Sequence, residues 1–119
     1  MATDSDRAAA LLPLPPATFH ILLALIDQDR HGYAIIQDVE ARTRGELRMS
    51  AGTLYRSIAR MVQQGLVSEV AKRKSADEDP RRRYYRLTPF GQAAARAEVG
   101  RLSELLRLAR RRGVTQEAT

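Results

Sequence analysis

Cysteine is absent, which excludes disulfides, thiolate metal sites and a cysteine nucleophile. Tryptophan is absent too. Four tyrosines and two phenylalanines are the only aromatics, so the core has to be built from Leu, Ile, Val and Ala. No apolar run approaches the ~20 residues that span a bilayer. The first ten residues carry Asp4, Asp6 and Arg7 rather than a basic stretch ahead of an apolar one, so they do not read as a signal peptide. These absences predict a cytoplasmic protein that makes no membrane contact. Lysine is scarce, Lys72 and Lys74 being the only two among 20 cationic residues. Acids are missing altogether from Ser50 to Val67.

The chain has 119 residues, enough for one domain. Its net charge is +6 and rests on arginine, whose planar fork suits phosphates and guanine edges. That balance points to an anionic partner, or to a solvated surface that happens to be written in Arg. No nucleophile–base pair, glycine-rich phosphate loop or metal-ligand set is visible, so no enzyme and no cofactor are expected. His20 and His31 are the only histidines, and neither has carboxylates at ligand spacing.

Along the chain, residues 1–14 read as a flexible leader. Pro13, Pro15 and Pro16 then set up a helix start, because proline fits the first turn of a helix. The first helix is predicted over residues 17–27, with Phe19, Leu22, Leu23 and Ile26 on one face. A turn follows at 27–32. A second helix covers 33–43, with Tyr33, Ile36 and Val39 facing inward. A third runs from the N-cap Ser50 to about Gln64, and Gly65 stops it. Strands at 66–73 and 82–87 flank a polar tip and form an antiparallel hairpin. Thr88-Pro89 opens a last helix over 89–112, and 113–119 is a frayed tail. The fold class is thus mainly α with a small β-hairpin: a winged helix-turn-helix over 15–88, followed by a long C-terminal helix.

The third helix has two unlike faces. Leu54, Ile58, Met61 and Val62 form an apolar stripe. Thr53, Arg56, Ser57, Arg60, Gln63 and Gln64 form an acid-free arc with the donors and acceptors that a major-groove helix needs. An ordinary solvated face would look similar, though most such faces mix charge signs. In the hairpin, Lys72, Arg73, Lys74, Arg81, Arg82, Arg83 and Arg86 line the limbs, and Asp77, Glu78 and Asp79 form an acidic tip. The limbs can follow a phosphate backbone, or the tip can neutralise them internally. Alternation places Tyr85 with Leu87 toward the helices and Tyr84 with Arg86 toward solvent. In the last helix, Phe90, Ala94 and Ala97 close over the core. Beyond them Val99, Leu102, Leu105, Leu106 and Ala109 make an apolar stripe out of the core's reach, which reads as a dimerisation surface or as a helix folded back on its own domain.

His31-Gly32-Tyr33-Ala34-Ile35, Ser50-Ala51-Gly52-Thr53-Leu54-Tyr55-Arg56-Ser57-Ile58, Gly65-Leu66-Val67 and Arg82-Arg83-Tyr84-Tyr85-Arg86-Leu87-Thr88-Pro89-Phe90-Gly91 occur in this order. On these blocks the chain resembles the PadR family of bacterial transcriptional regulators. The resemblance implies a homodimeric repressor bound to double-stranded DNA at a palindromic operator, of the short form with one C-terminal dimerisation helix. Together with the acid-free arc and the basic limbs, the resemblance gives the expected DNA contacts: Arg56 and Arg60 as main readers, Ser50, Thr53, Ser57 and Gln64 assisting, Tyr55 near DNA as in the matching motif, and Lys72, Arg73, Arg81, Arg82 and Arg83 positioning the wing. It makes His31 a turn residue and Tyr55 part core, part phosphate contact. It also implies release by a small-molecule effector near the dimer interface, although the chain has no Trp to serve as an aromatic platform. The alternative is a winged-helix protein-interaction module without a specific DNA target.

Overall fold

The computed structural model describes residues 1–71 and 83–116. Where a leader is expected there is a helix, α1 (Asp4–Ala9). Thr3 caps it: its hydroxyl accepts from the Asp6 amide, and the Asp6 carboxylate accepts from the Thr3 amide, each at 3.1 Å. This reciprocal capping box satisfies two orphan donors in the first turn. The bond from the Thr3 amide, helped by the Thr3 side chain, also holds the Asp6 carboxyl below its ordinary pKa. A six-residue helix does not persist by itself in water. Burial supplies the rest: Ala8 is fully enclosed, Leu14 is buried, and Leu11 and Leu12 pack on the core.

Pro16 opens α2 (Pro16–Ala24), which ends three residues before the expected Asp27. The stop comes from Arg30, whose Nε donates to the Ala24 carbonyl at 2.6 Å and caps the helix. Ile26 therefore lies outside the helix and is exposed rather than packed. The expected turn at 27–32 contains a short strand, β1 (Arg30–His31). Then comes α3 (Gly32–Arg42), capped by His31, whose Nδ1 accepts from the Ala34 amide at 3.2 Å. Its inward positions are Gly32, Ile35 and Val39. Tyr33 lies about 200° around the helix from Ile35 and is 59% exposed, contrary to the expected inward face.

Helix α4 (Ala51–Gln63) buries Leu54, Ile58 and Met61. Val62, expected in the same stripe, is exposed. The helix ends in a Schellman motif, with the Leu66 amide donating to the Met61 carbonyl at 2.9 Å and the Gly65 amide to Val62 at 3.0 Å. Two strands, β2 (Val67–Val70) and β3 (Tyr84–Leu87), pair antiparallel with Val67 opposite Leu87 and Val70 opposite Tyr84. Strand β1 pairs with the other edge of β3, so the sheet has three strands in the order β1-β3-β2. Strand β3 thus has a neighbour along each edge, and Tyr84 and Tyr85, on opposite faces of it, are both buried. Tyr85 is buried as expected. Tyr84 is buried too, at 5% exposed, and meets the His31 ring edge-on with centroids 5.4 Å apart. The solvent-facing assignment for Tyr84 is thereby corrected.

The last helix, α5 (Pro89–Arg111), starts at Thr88. The Thr88 hydroxyl accepts from the Gly91 amide at 2.9 Å and donates to the Gly65 and Leu66 carbonyls at 2.5 and 3.0 Å. The Thr88 amide also donates to Leu66, at 3.1 Å. Gly91 presses on the same point: a Cβ there would sit 2.0 Å from the Leu66 carbonyl oxygen and 2.7 Å from Leu87 Cδ1. The start of α5 is thus joined to the turn that ends α4. Further along the helix, Glu98 is only 3% exposed. Its Oε1 accepts from the Leu14 amide at 3.3 Å and from Arg101 Nε at 2.8 Å, and its Oε2 accepts from Arg101 Nη2 at 2.7 Å. The Arg101 bonds hold its carboxyl below the ordinary 4.5, outweighing the opposing effect of burial.

Two outcomes are expected. Gly91→Ala drives a methyl group into backbone that cannot step aside, and should destabilise the fold by ~3 kcal/mol, read as a lower urea midpoint at unchanged slope. Because the folded state lowers the pKa of Glu98, its contribution is complete above 4.5 and is lost as pH falls through the folded value. Glu98→Gln should therefore be less stable than the parent at neutral pH and lose less stability on acidification. Equal pH dependence of the two proteins would refute that role.

Candidate nucleic-acid interface

The first turn of α4 carries the polar residues singled out in the sequence. Ser50 is its N-cap, accepting from the Thr53 amide at 3.1 Å. The Ser50 hydroxyl also donates to Thr53 Oγ1 at 3.1 Å, and Arg56 Nη2 donates to the same Thr53 oxygen at 3.4 Å. This short relay lies on the outer surface of the helix. Arg56 and Arg60 are exposed, Thr53, Ser57 and Gln64 are partly buried, and Gln63 is exposed. Among the described residues neither Arg56 nor Arg60 has an acidic partner, whereas Arg30, Arg42, Arg48, Arg86, Arg101 and Arg107 all do. Arg44, Arg96, Arg110, Arg111 and Arg112 also lack an acidic partner among the described residues, so what sets α4 apart is an exposed arc that carries Arg56 and Arg60 and no acid of its own.

Tyr55 is half-exposed, and its ring lies across the start of α3. A Cβ on Gly32 would come 2.3 Å from Tyr55 Oη and 2.8 Å from Cζ, so only glycine lets the ring lie that close. The phenol edge consequently reaches the surface beside the N-terminal turn of α3.

Of the wing cations, Lys72, Arg73, Arg81 and Arg82 lie outside the described residues, as does the acidic tip. Arg83 is exposed and stands 3.7 Å from Glu69. Arg86, counted in the sequence among the limb cations, is committed elsewhere: its guanidinium grips Asp29 through two bonds of 3.2 and 2.8 Å. Those bonds raise its pKa further. They tie β3 to the α2–β1 turn, so Arg86 is a brace of the wing root. The sequence gives no sign of Asp29 as its partner, because they are 57 positions apart.

On α5, Val99, Leu102, Leu105 and Leu106 are exposed and Ala109 is partly so, with Leu108 adding to the apolar surface. The helix does not fold back on its own domain. The described residues contain no group of His, Asp and Glu that could hold a metal ion. None of their helices is long and apolar enough to cross a membrane.

This arrangement is a winged helix-turn-helix with a projecting C-terminal helix, and residues 21–97 match the profile of the transcriptional regulator PadR-like family. The chain belongs to that family. Among its relatives, a transcriptional regulator of Mycobacterium tuberculosis is 36% identical over 88 residues, covering 74% of this chain and 77% of that protein. A protein of Lysinibacillus sphaericus is 30% identical over 73 residues, and there the match spans 61% of this chain and 65% of the relative. The structure of Bacillus subtilis PadR in complex with operator DNA superposes with a TM-score of 0.61 at 15% identity, covering 73% of this chain and 48% of that one. At that identity the likeness is one of fold.

In this PadR-like domain the cap of α4 is a separable feature. Ser50→Ala should cost ~1 kcal/mol of stability, and Ser50→Asp, which restores an acceptor for the Thr53 amide, should recover most of it. Chemical denaturation of the three proteins checks this; an unaffected Ser50→Ala midpoint would show that the hydrogen bond carries no weight.

Proposed function

We propose that this PadR-like regulator is a homodimeric repressor that reads a two-fold-symmetric DNA operator with α4. The observation that carries the proposal is the exposed arc of α4, which presents Arg56 and Arg60 without acidic partners among the described residues and contains no acid from Ser50 to Val67. Such an arc has a use in a major groove, where Arg can fork onto guanine acceptors. Arg56 and Arg60 are the base readers. Ser50, Thr53, Ser57 and Gln64 assist them, and Tyr55 meets the backbone beside α3. Arg83, together with Lys72, Arg73, Arg81 and Arg82, positions the wing on phosphates.

The dimer follows from α5. Its exposed stripe of Val99, Leu102, Leu105, Leu106 and Ala109 is costly for a monomer in water, and a second copy of the same stripe covers it by two-fold symmetry. Two joined domains place two copies of α4 on one side of the duplex, about one helical turn apart. Occupancy of a promoter by such a dimer suffices for repression.

The test is selection of DNA sites with the purified protein, combined with its mass in solution. The expected result is a dimer that enriches paired, inverted half-sites. Arg56→Ala should lose ~1–3 kcal/mol of binding and relax discrimination at one base position. Leu105→Glu should shift the mass toward monomer and weaken binding to the paired site. Affinity should fall with salt with a log–log slope of several units. An Arg56→Ala variant that binds like the parent would sink the assignment of α4. Failure to enrich any DNA, with a protein partner co-purifying instead, would favour an interaction module.

A further inference from the structure

Helix α5 packs on α1, α2 and β3 over its first half, from Phe90 to Glu98, yet it carries the proposed dimer contacts at its far end. Two sets of contacts at the ends of that seat bear most directly on its direction. The first is the joint at Thr88 and Gly91, where the backbone of Leu66 leaves no slack. The second is the N-terminal arm, residues 3–14. Ala8 and Leu14 are buried there, the Arg7 guanidinium stands 5.8 Å over the Phe90 ring, and the Leu14 amide donates to the buried Glu98. Glu98 lies seven residues beyond Gly91, or about 10 Å along the axis.

A rod seated over only about 10 Å of its length magnifies any play at the far end of the seat. Ala109 lies about 27 Å from Gly91 along the helix, so a sideways shift of about 1 Å at Glu98 becomes nearly 3 Å there. That is close to the ~3.4 Å rise of one base pair.

We propose that Glu98 and the arm it holds are positioning elements that set the direction of α5 and thereby the spacing between half-sites that the dimer accepts. The inference rests on the dimeric reading above. Glu98 suits the role because each of its oxygens is engaged, one by arm backbone and Arg101 together and the other by Arg101 alone. Slippage of the arm would strip a hydrogen bond from a buried carboxylate.

The experiment offers full-length protein a set of paired half-sites whose spacer changes one base pair at a time. The parent should favour one spacer over its neighbours by roughly tenfold. Ala8→Asp, which dislodges α1 without altering α5, and Glu98→Ala should flatten that preference to about threefold or less while keeping single half-site affinity within about twofold. Glu98→Gln retains an acceptor for the Leu14 amide and should fall between. A second readout does not need DNA. Because the native chain has no cysteine, Ala59→Cys, at an exposed position of α4, gives one nitroxide per protomer. The distance between the two labels should be narrowly distributed in the parent, broad in Ala8→Asp and Glu98→Ala, and intermediate in Glu98→Gln. Unchanged spacer preference and unchanged distance width in variants whose Leu14 amide exchanges rapidly would overturn the inference. A parent that forms no dimer or selects no paired sites would overturn the dimeric reading first, and that outcome is visible before any variant is made.

Discussion

The carbonyl of Leu66 is the point on which the architecture turns. The amide of the same residue closes the Schellman turn after α4, while the carbonyl accepts from both the amide and the hydroxyl of Thr88 and lies so close to Gly91 that no side chain fits between. One residue thus joins the end of α4, the start of the wing and the first turn of the long helix. A contact of this kind is almost wholly steric and directional. It does little for net stability compared with burial of Ile21, Leu22, Leu54 and Met61, but it decides how the helices point.

Charge is distributed on the same logic. Asp29 holds Arg86, Asp38 holds Arg30 and Arg42, Glu40 holds Arg48, and Glu98 holds Arg101. These acids lie on the elements around α4 and none lies on α4 itself. The cations they pair with brace helix ends and strands. Arginines without an acidic partner among the described residues remain at Arg44, on α4, at Arg96 and at the end of α5. Of these places α4 is distinguished by the absence of any acid from Ser50 to Val67.

Much of this was legible in the sequence. Ser50, Gly65 and the Thr88-Pro89 pair mark helix ends through local chemistry, and the structure places α4 and α5 within a residue or so of those marks. The apolar period of Leu54, Ile58 and Met61 fixed which side of α4 is buried. The misses share one cause, which is partnership at a distance. β1 is two residues long and exists because it pairs with β3, so Tyr84 gains a cover that alternation within its own strand could not announce. Arg86 looks free until Asp29 arrives from another turn. For α1 a local signal was present, since Thr3 and Asp6 stand at capping-box spacing, but a helix of that length has meaning only through the α5 surface it covers. Glu98 also left a trace: it continues the buried series of Gly91, Ala94 and Ala95, where a carboxylate is out of place unless it is paired.

The Asp29–Arg86 brace has a bearing on how such a protein can change over time. It holds the central strand of the wing from the side opposite β2, and β1 adds its own pairing there. The register at the wing's root therefore does not depend on the segment that connects β2 to β3. A change confined to that segment would leave the Asp29–Arg86 pair and the β1–β3 pairing in place, so the root of the wing is anchored from the helical core rather than from its own far end.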